Sequence, residues 1–122
     1  MRGLGVLGDK IMALVPQLIN LSKSLTKEYK AMASQMLRSA TSIGANCHEA
    51  QSAQSKADFV TKLHIALKEN DETQYWLTMF HSINAISNDE YNQLTSNLQE
   101  IGKLLTTIIK HTKENMEISK YK

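Results

Sequence analysis

Residues 37–46 read Leu-Arg-Ser-Ala-Thr-Ser-Ile-Gly-Ala-Asn, a run of small and polar residues with Gly44 inside it. Composition alone marks such a run as a loop or an active-site turn. Spacing places it elsewhere. Tyr29, Met32, Met36, Ala40, Ile43, Cys47 and Ala50 recur at steps of three and four, so one apolar face runs through the whole stretch and puts it inside a helix over about 27–53.

The same rhythm extends outward on both sides. Leu4, Leu7, Ile11, Leu14, Leu18, Leu21 and Leu25 form an apolar seam over about 4–25, and Pro16 falls within it without breaking the phase, which predicts a bend rather than a stop. Ser55 followed by Asp58 resembles a capping box and opens a third helix over about 56–86. Its seam is Phe59, Leu63, Ala66, Asn70, Thr73, Leu77 and Phe80, with two polar residues at apolar positions. Ser87 and Glu90 form a full capping box for a fourth helix over about 88–113, with a heptad of Tyr91, Leu94, Leu98, Ile101, Leu105 and Ile108. The tail, 114–122, is expected to be ragged.

Short connections force sequential helices to be antiparallel, so the expected fold is all-α: an antiparallel up-down-up-down four-helix bundle, one domain over 1–122. The 122 residues suit a single core. One proline and six methionines favour helices over a turn-rich β fold. A formal net charge of +2, with the positive excess in residues 1–54, permits a polyanionic partner without demanding one. The lone Cys47, the lack of a signal-peptide core and the lack of a long apolar span point to a reduced, cytoplasmic protein away from the membrane.

If helices two and three reverse near Gln54, residues whose numbers sum to about 108–110 lie at one height. Arg38 then faces Asn70 to Glu72, and Asn46 faces Lys62 and Leu63. The expectation is a structural polar network of Arg38, Asn46, Asn70 and Glu72 that sets register more than stability. Small residues around Gly44 let the backbones approach.

The chemistry sought is mostly missing from the pattern. Di-iron bundles need Glu-x-x-His pairs, and no acidic residue here has a His three positions later. His48, His64, His81 and His111 are scattered. Cys47 and His48 are neighbours in sequence and point in different directions on a helix, so they form no couple. No nucleophile elbow or phosphate loop is present. The expectation is no catalytic site, metal, cofactor or small-molecule substrate. Tyr75 and Trp76 suit a core or subunit contact better than base stacking. Lys23, Lys27, Lys30, Lys56, Lys62 and Lys68, with Arg38, are candidates for a phosphate-tracking or partner surface.

Three blocks carry a family resemblance: Ser34–Asn46 with Glu49 and Ala50, Ser55–Leu77, and Leu104–Lys113. Together they resemble bacterial four-helix bundle proteins related to large-subunit rRNA intervening-sequence proteins, over about residues 10–113. The resemblance implies a ring-like homopentamer without enzymatic activity. It also extends to accessory variability determinant proteins of diversity-generating retroelements, which bind a reverse transcriptase and its RNA through basic surfaces. Arg38, Thr41, Gly44, Asn46, Lys62, Lys68, Glu69, Glu72, Tyr75 and Trp76 match the family pattern. Cys47, His48, the glycine-rich start and Pro16 depart from it, and the retroelement proteins are more basic. The function expected is a non-catalytic oligomeric bundle associated with RNA or a reverse transcriptase. The alternative is a protein–protein scaffold, with a metal-dependent bundle enzyme third.

Overall fold

The computed structural model describes residues 2–25 and 27–120. Four helices follow in order: α1 (Gly5–Ser24), α2 (Lys30–Ala50), α3 (Lys56–Ser82) and α4 (Asn88–Lys120). A 3-10 turn, Arg2–Leu4, leads into α1, and another, Lys27–Tyr29, leads into α2. Each helix packs on its neighbours in sequence, and α1 closes the ring against α4. The fold is an antiparallel up-down-up-down four-helix bundle.

The seam residues meet in one core. Leu7, Ile11, Leu14 and Leu18 of α1, Met36 and Ile43 of α2, Leu63, Leu77 and Phe80 of α3, and Leu98, Ile101 and Leu105 of α4 are all buried. Pro16 lies within α1 on its exposed side, and the helix continues through it. Residues 37–46 are helical throughout, with Ser39, Ala40 and Ile43 turned inward.

Helix ends depart from the expected bounds for identifiable reasons. At the start of α3 the Ser55 hydroxyl accepts from the Asp58 N–H at 3.0 Å, while the Asp58 carboxylate accepts from the Gln54 N–H at 3.2 Å. This reciprocal cap pins the α2–α3 turn, and α2 stops at Ala50 rather than 53. Helix α3 ends at Ser82, four residues before the expected Ile86. Asn84 adopts φ 61°, the Ala85 N–H bonds the Phe80 carbonyl at 2.9 Å, and the Asn84 N–H bonds that of His81 at 3.0 Å. These are the two bonds of a Schellman motif, with asparagine in the left-handed position usually held by glycine. Ser87 caps α4 by accepting from the Glu90 N–H at 3.1 Å.

The expected ragged tail is corrected over most of its length. Helix α4 continues to Lys120, since nothing after Gly102 breaks it and Met116 packs back against the core. Residues 121 and 122 lie outside the described residues.

Candidate functional site

The seam between α2 and α3 holds the first group of predicted residues. Arg38 Nη2 donates to Glu72 Oε2, Nη1 donates to Glu69 Oε2 at 3.0 Å, and Nε donates to Gln35 at 3.4 Å. From one turn further along α3, Trp76 Nε1 donates to the same Glu72 oxygen at 3.1 Å. Glu72 is thus gripped from both helices. The Trp76 hydrogen bond, and after it the Arg38 guanidinium, hold the Glu72 carboxyl below the usual carboxylate range. Glu72 in turn raises the Arg38 pKa. The cluster lies at the rim, with the Arg38 side chain 46% exposed. It sets register where water still screens the charges.

Asn70 and Asn46 are not part of that cluster. Asn70 is fully buried and turns toward α4, where Nδ2 donates to the Leu98 carbonyl at 2.9 Å. Beside that amide α4 carries Gly102, where an added Cβ would lie 3.0 Å from Asn70 Nδ2. Asn46 Nδ2 donates to the Ser42 carbonyl of its own helix at 2.9 Å. The expected four-residue network therefore divides. A seam position turned 100° per residue faces a different neighbour, so Asn70 and Glu72 cannot share one partner.

A second polar contact lies inside. Ser39 Oγ and Thr73 Oγ1 are 2.8 Å apart and buried, and each also approaches a carbonyl of its own helix: Met36 at 3.0 Å and Glu69 at 2.8 Å. Two hydroxyl protons face three contacts. One hydroxyl donates to the other, which donates to its own carbonyl. Ser39, Gln35 and Glu69 were outside the expected network. The register of α2 against α3 could have indicated Glu69, which shares the Arg38 height, whereas Ser39 carries no signal separating it from a surface serine.

The six lysines do not form one surface. Lys23, Lys27 and Lys30 line a groove of about 350 Å³ where α1 gives way to α2, together with Ser22, Leu25, Ala33 and Ser34. Lys56 begins α3 at the opposite end, and Lys62 pairs with Glu49 of α2 at 3.5 Å. Lys68 lies mid-helix, where its charge lowers the Glu72 pKa. A larger groove of about 700 Å³ separates α3 from α4, lined by Leu67, Asp71, Gln74, Gln99, Gly102 and Lys103 among others. Its walls carry both signs of charge.

Burial pushes the Cys47 thiol up to about 12. The ring of His81 stacks on Tyr91 with centroids 4.2 Å apart and bonds Asn88 at 2.5 Å, while His48, His64 and His111 are exposed. Among the described residues no three His, Cys, Asp or Glu side chains gather as a metal site, and no helix is long and apolar enough to cross a membrane.

A comparison with curated proteins returns no significant match. A crystal structure of a protein of unknown function from the S23 ribosomal protein family of Bacteroides thetaiotaomicron is similar, with 47% identity and a TM-score of 0.81. The match covers 86% of this chain and 96% of that one. Residues 7–107, which span the α2–α3 seam and most of the core, match the model of the 23S rRNA-intervening sequence protein family. The chain belongs to the 23S rRNA-intervening sequence protein family.

Proposed function

We propose that the chain is a non-catalytic, oligomeric four-helix bundle of the cytoplasm, acting as an accessory protein to RNA or to a reverse transcriptase with its RNA. The observation that carries this reading is where the polar chemistry stands. Inside, Ser39, Thr73 and Asn70 bond one another or the backbone and serve packing. Outside, three lysines line one groove, and among the described residues no acid stands in its walls. Family membership supports the association with rRNA loci, and the family resemblance supports a homopentameric ring.

A protein–protein scaffold is the second reading, favoured by Tyr75, which is 54% exposed on α3 with its ring 5.0 Å from that of Trp76. Exposed aromatics of this kind are common anchors of protein interfaces. Light scattering on the purified chain measures subunit number, and fluorescence anisotropy with a structured RNA separates the two readings. The RNA reading expects binding that weakens steeply between about 50 and 200 mM salt. Failure to bind at low salt overturns it in favour of the scaffold.

A further inference from the structure

We infer that the groove between the end of α1 and the start of α2 is the RNA-contacting site, and that Lys23, Lys27 and Lys30 clasp backbone phosphates there without reading base sequence. The inference rests on the RNA reading above and assigns it to three of the six candidate lysines.

Local geometry brings the three together. Leu25 turns to extended backbone at φ −73° and ψ 144°, which ends α1 and returns the chain beside it. The turn that follows, Lys27–Tyr29, is 3-10. With three residues per turn, side chains three apart eclipse, so Lys27 and Lys30 stand on one side about 6 Å apart along the axis. Lys23, from the last turn of α1, lines the same groove. The Ser22 and Ser34 side chains in its walls supply hydroxyls.

Three lysines set this groove apart from the others that hold a lysine; among the described residues the groove at the start of α3 holds Lys56 alone. Lys10 is paired with Glu100 at 2.6 Å and Lys62 with Glu49, while Lys68 lies within the field of Glu72. The α3–α4 groove sets Asp71 against Lys103, and its continuation sets Glu114 against Lys110 and Lys113. Among the described residues no acid lines the α1–α2 groove. Glu28, next to Lys27 in sequence, is exposed but outside its walls. Three like charges around one hollow raise the local potential for an anion. Flexible ammonium groups suit a phosphate chain whose bases point elsewhere.

The test compares wild type with K23Q/K27Q/K30Q and with K56Q/K62Q/K68Q, using a labelled RNA hairpin and anisotropy across a salt series. Circular dichroism checks that both variants fold. The first variant is expected to lose at least about tenfold in affinity near 100 mM salt, with a slope of log K against log salt shallower by about 2 to 3. The second is expected to stay within about twofold of wild type. Unchanged affinity and slope in the first variant, with wild type binding, overturns this assignment and leaves the RNA reading standing. No binding by wild type overturns the RNA reading itself, and the groove assignment with it. Displacement of the RNA by millimolar inorganic phosphate at constant ionic strength also overturns it, by making the groove a free-anion site.

Discussion

Glu72 shows how one side chain joins two helices. It accepts from Arg38 of α2 and from Trp76 of its own helix, and both contacts favour its charged form. The folded chain therefore holds a proton at this site less tightly than the unfolded chain does. Above the ordinary glutamate pKa of about 4.3 the stabilisation is fully present, and it is lost as pH falls through the lower folded value. The size is modest, below about 1 kcal/mol, because the cluster is solvent-screened. Trp76 is the single tryptophan, so its fluorescence reports the event. We predict an emission change on acidification with a midpoint below about 4.3, and its loss in E72Q. A wild-type midpoint at or above that value would show that the Trp76 and Arg38 contacts do not hold in solution.

At the scale of elements, the α3–α4 contact turns on a pair of residues that no single-helix argument connects. Glycine inside a helix costs about 1 kcal/mol relative to alanine, so G102A would stabilise an isolated α4. In the bundle the new methyl would meet Asn70 Nδ2 at 3.0 Å, and that amide is held in place by Leu98. We predict that G102A lowers stability by about 1 kcal/mol in urea melts, because displacing a buried hydrogen-bonded amide outweighs the propensity gain. Shortening Asn70 removes the obstruction, so N70A/G102A is expected to cost less than the sum of its single substitutions. Additive losses would mean that the two helices are not this close. The Schellman motif at Asn84 acts at the same scale: by ending α3 at Ser82 it sets where α4 begins its return.

For the whole molecule, Cys47 offers a gauge of cooperative opening. Its side chain is fully buried in the shared core, and burial alone raises its pKa to about 12. The thiolate is the reactive form, so alkylation near pH 8 needs exposure of the core. We predict labelling that is slow in native buffer and accelerates with urea in step with loss of helical circular dichroism. Rapid labelling of the native chain would reveal an opening confined to α2. The fold is suited to one cooperative unit because every helix contributes fully buried residues to one cluster.

Periodicity determined the four helices and the helical state of residues 37–46, and the short connections between them determined the antiparallel order. A 3.6-residue repeat of apolar side chains is written directly in the chain, as are the caps Ser55 and Ser87. The Arg38–Glu72 register was legible too, because a short turn and a constant rise per residue place equal distances side by side. What only the tertiary structure decided is which neighbour each polar side chain meets. Asn70 and Glu72 are two residues apart in sequence, yet one reaches α4 and the other α2. The lysines likewise separated: Lys23, Lys27 and Lys30 share the α1–α2 groove, Lys62 pairs with Glu49, Lys68 lies near Glu72, and Lys56 lies apart at the start of α3. A sequence specifies that a side chain is polar and on which face of its helix it stands. Its partner depends on how that helix is rotated and spaced against two others, which is settled only when all four pack at once.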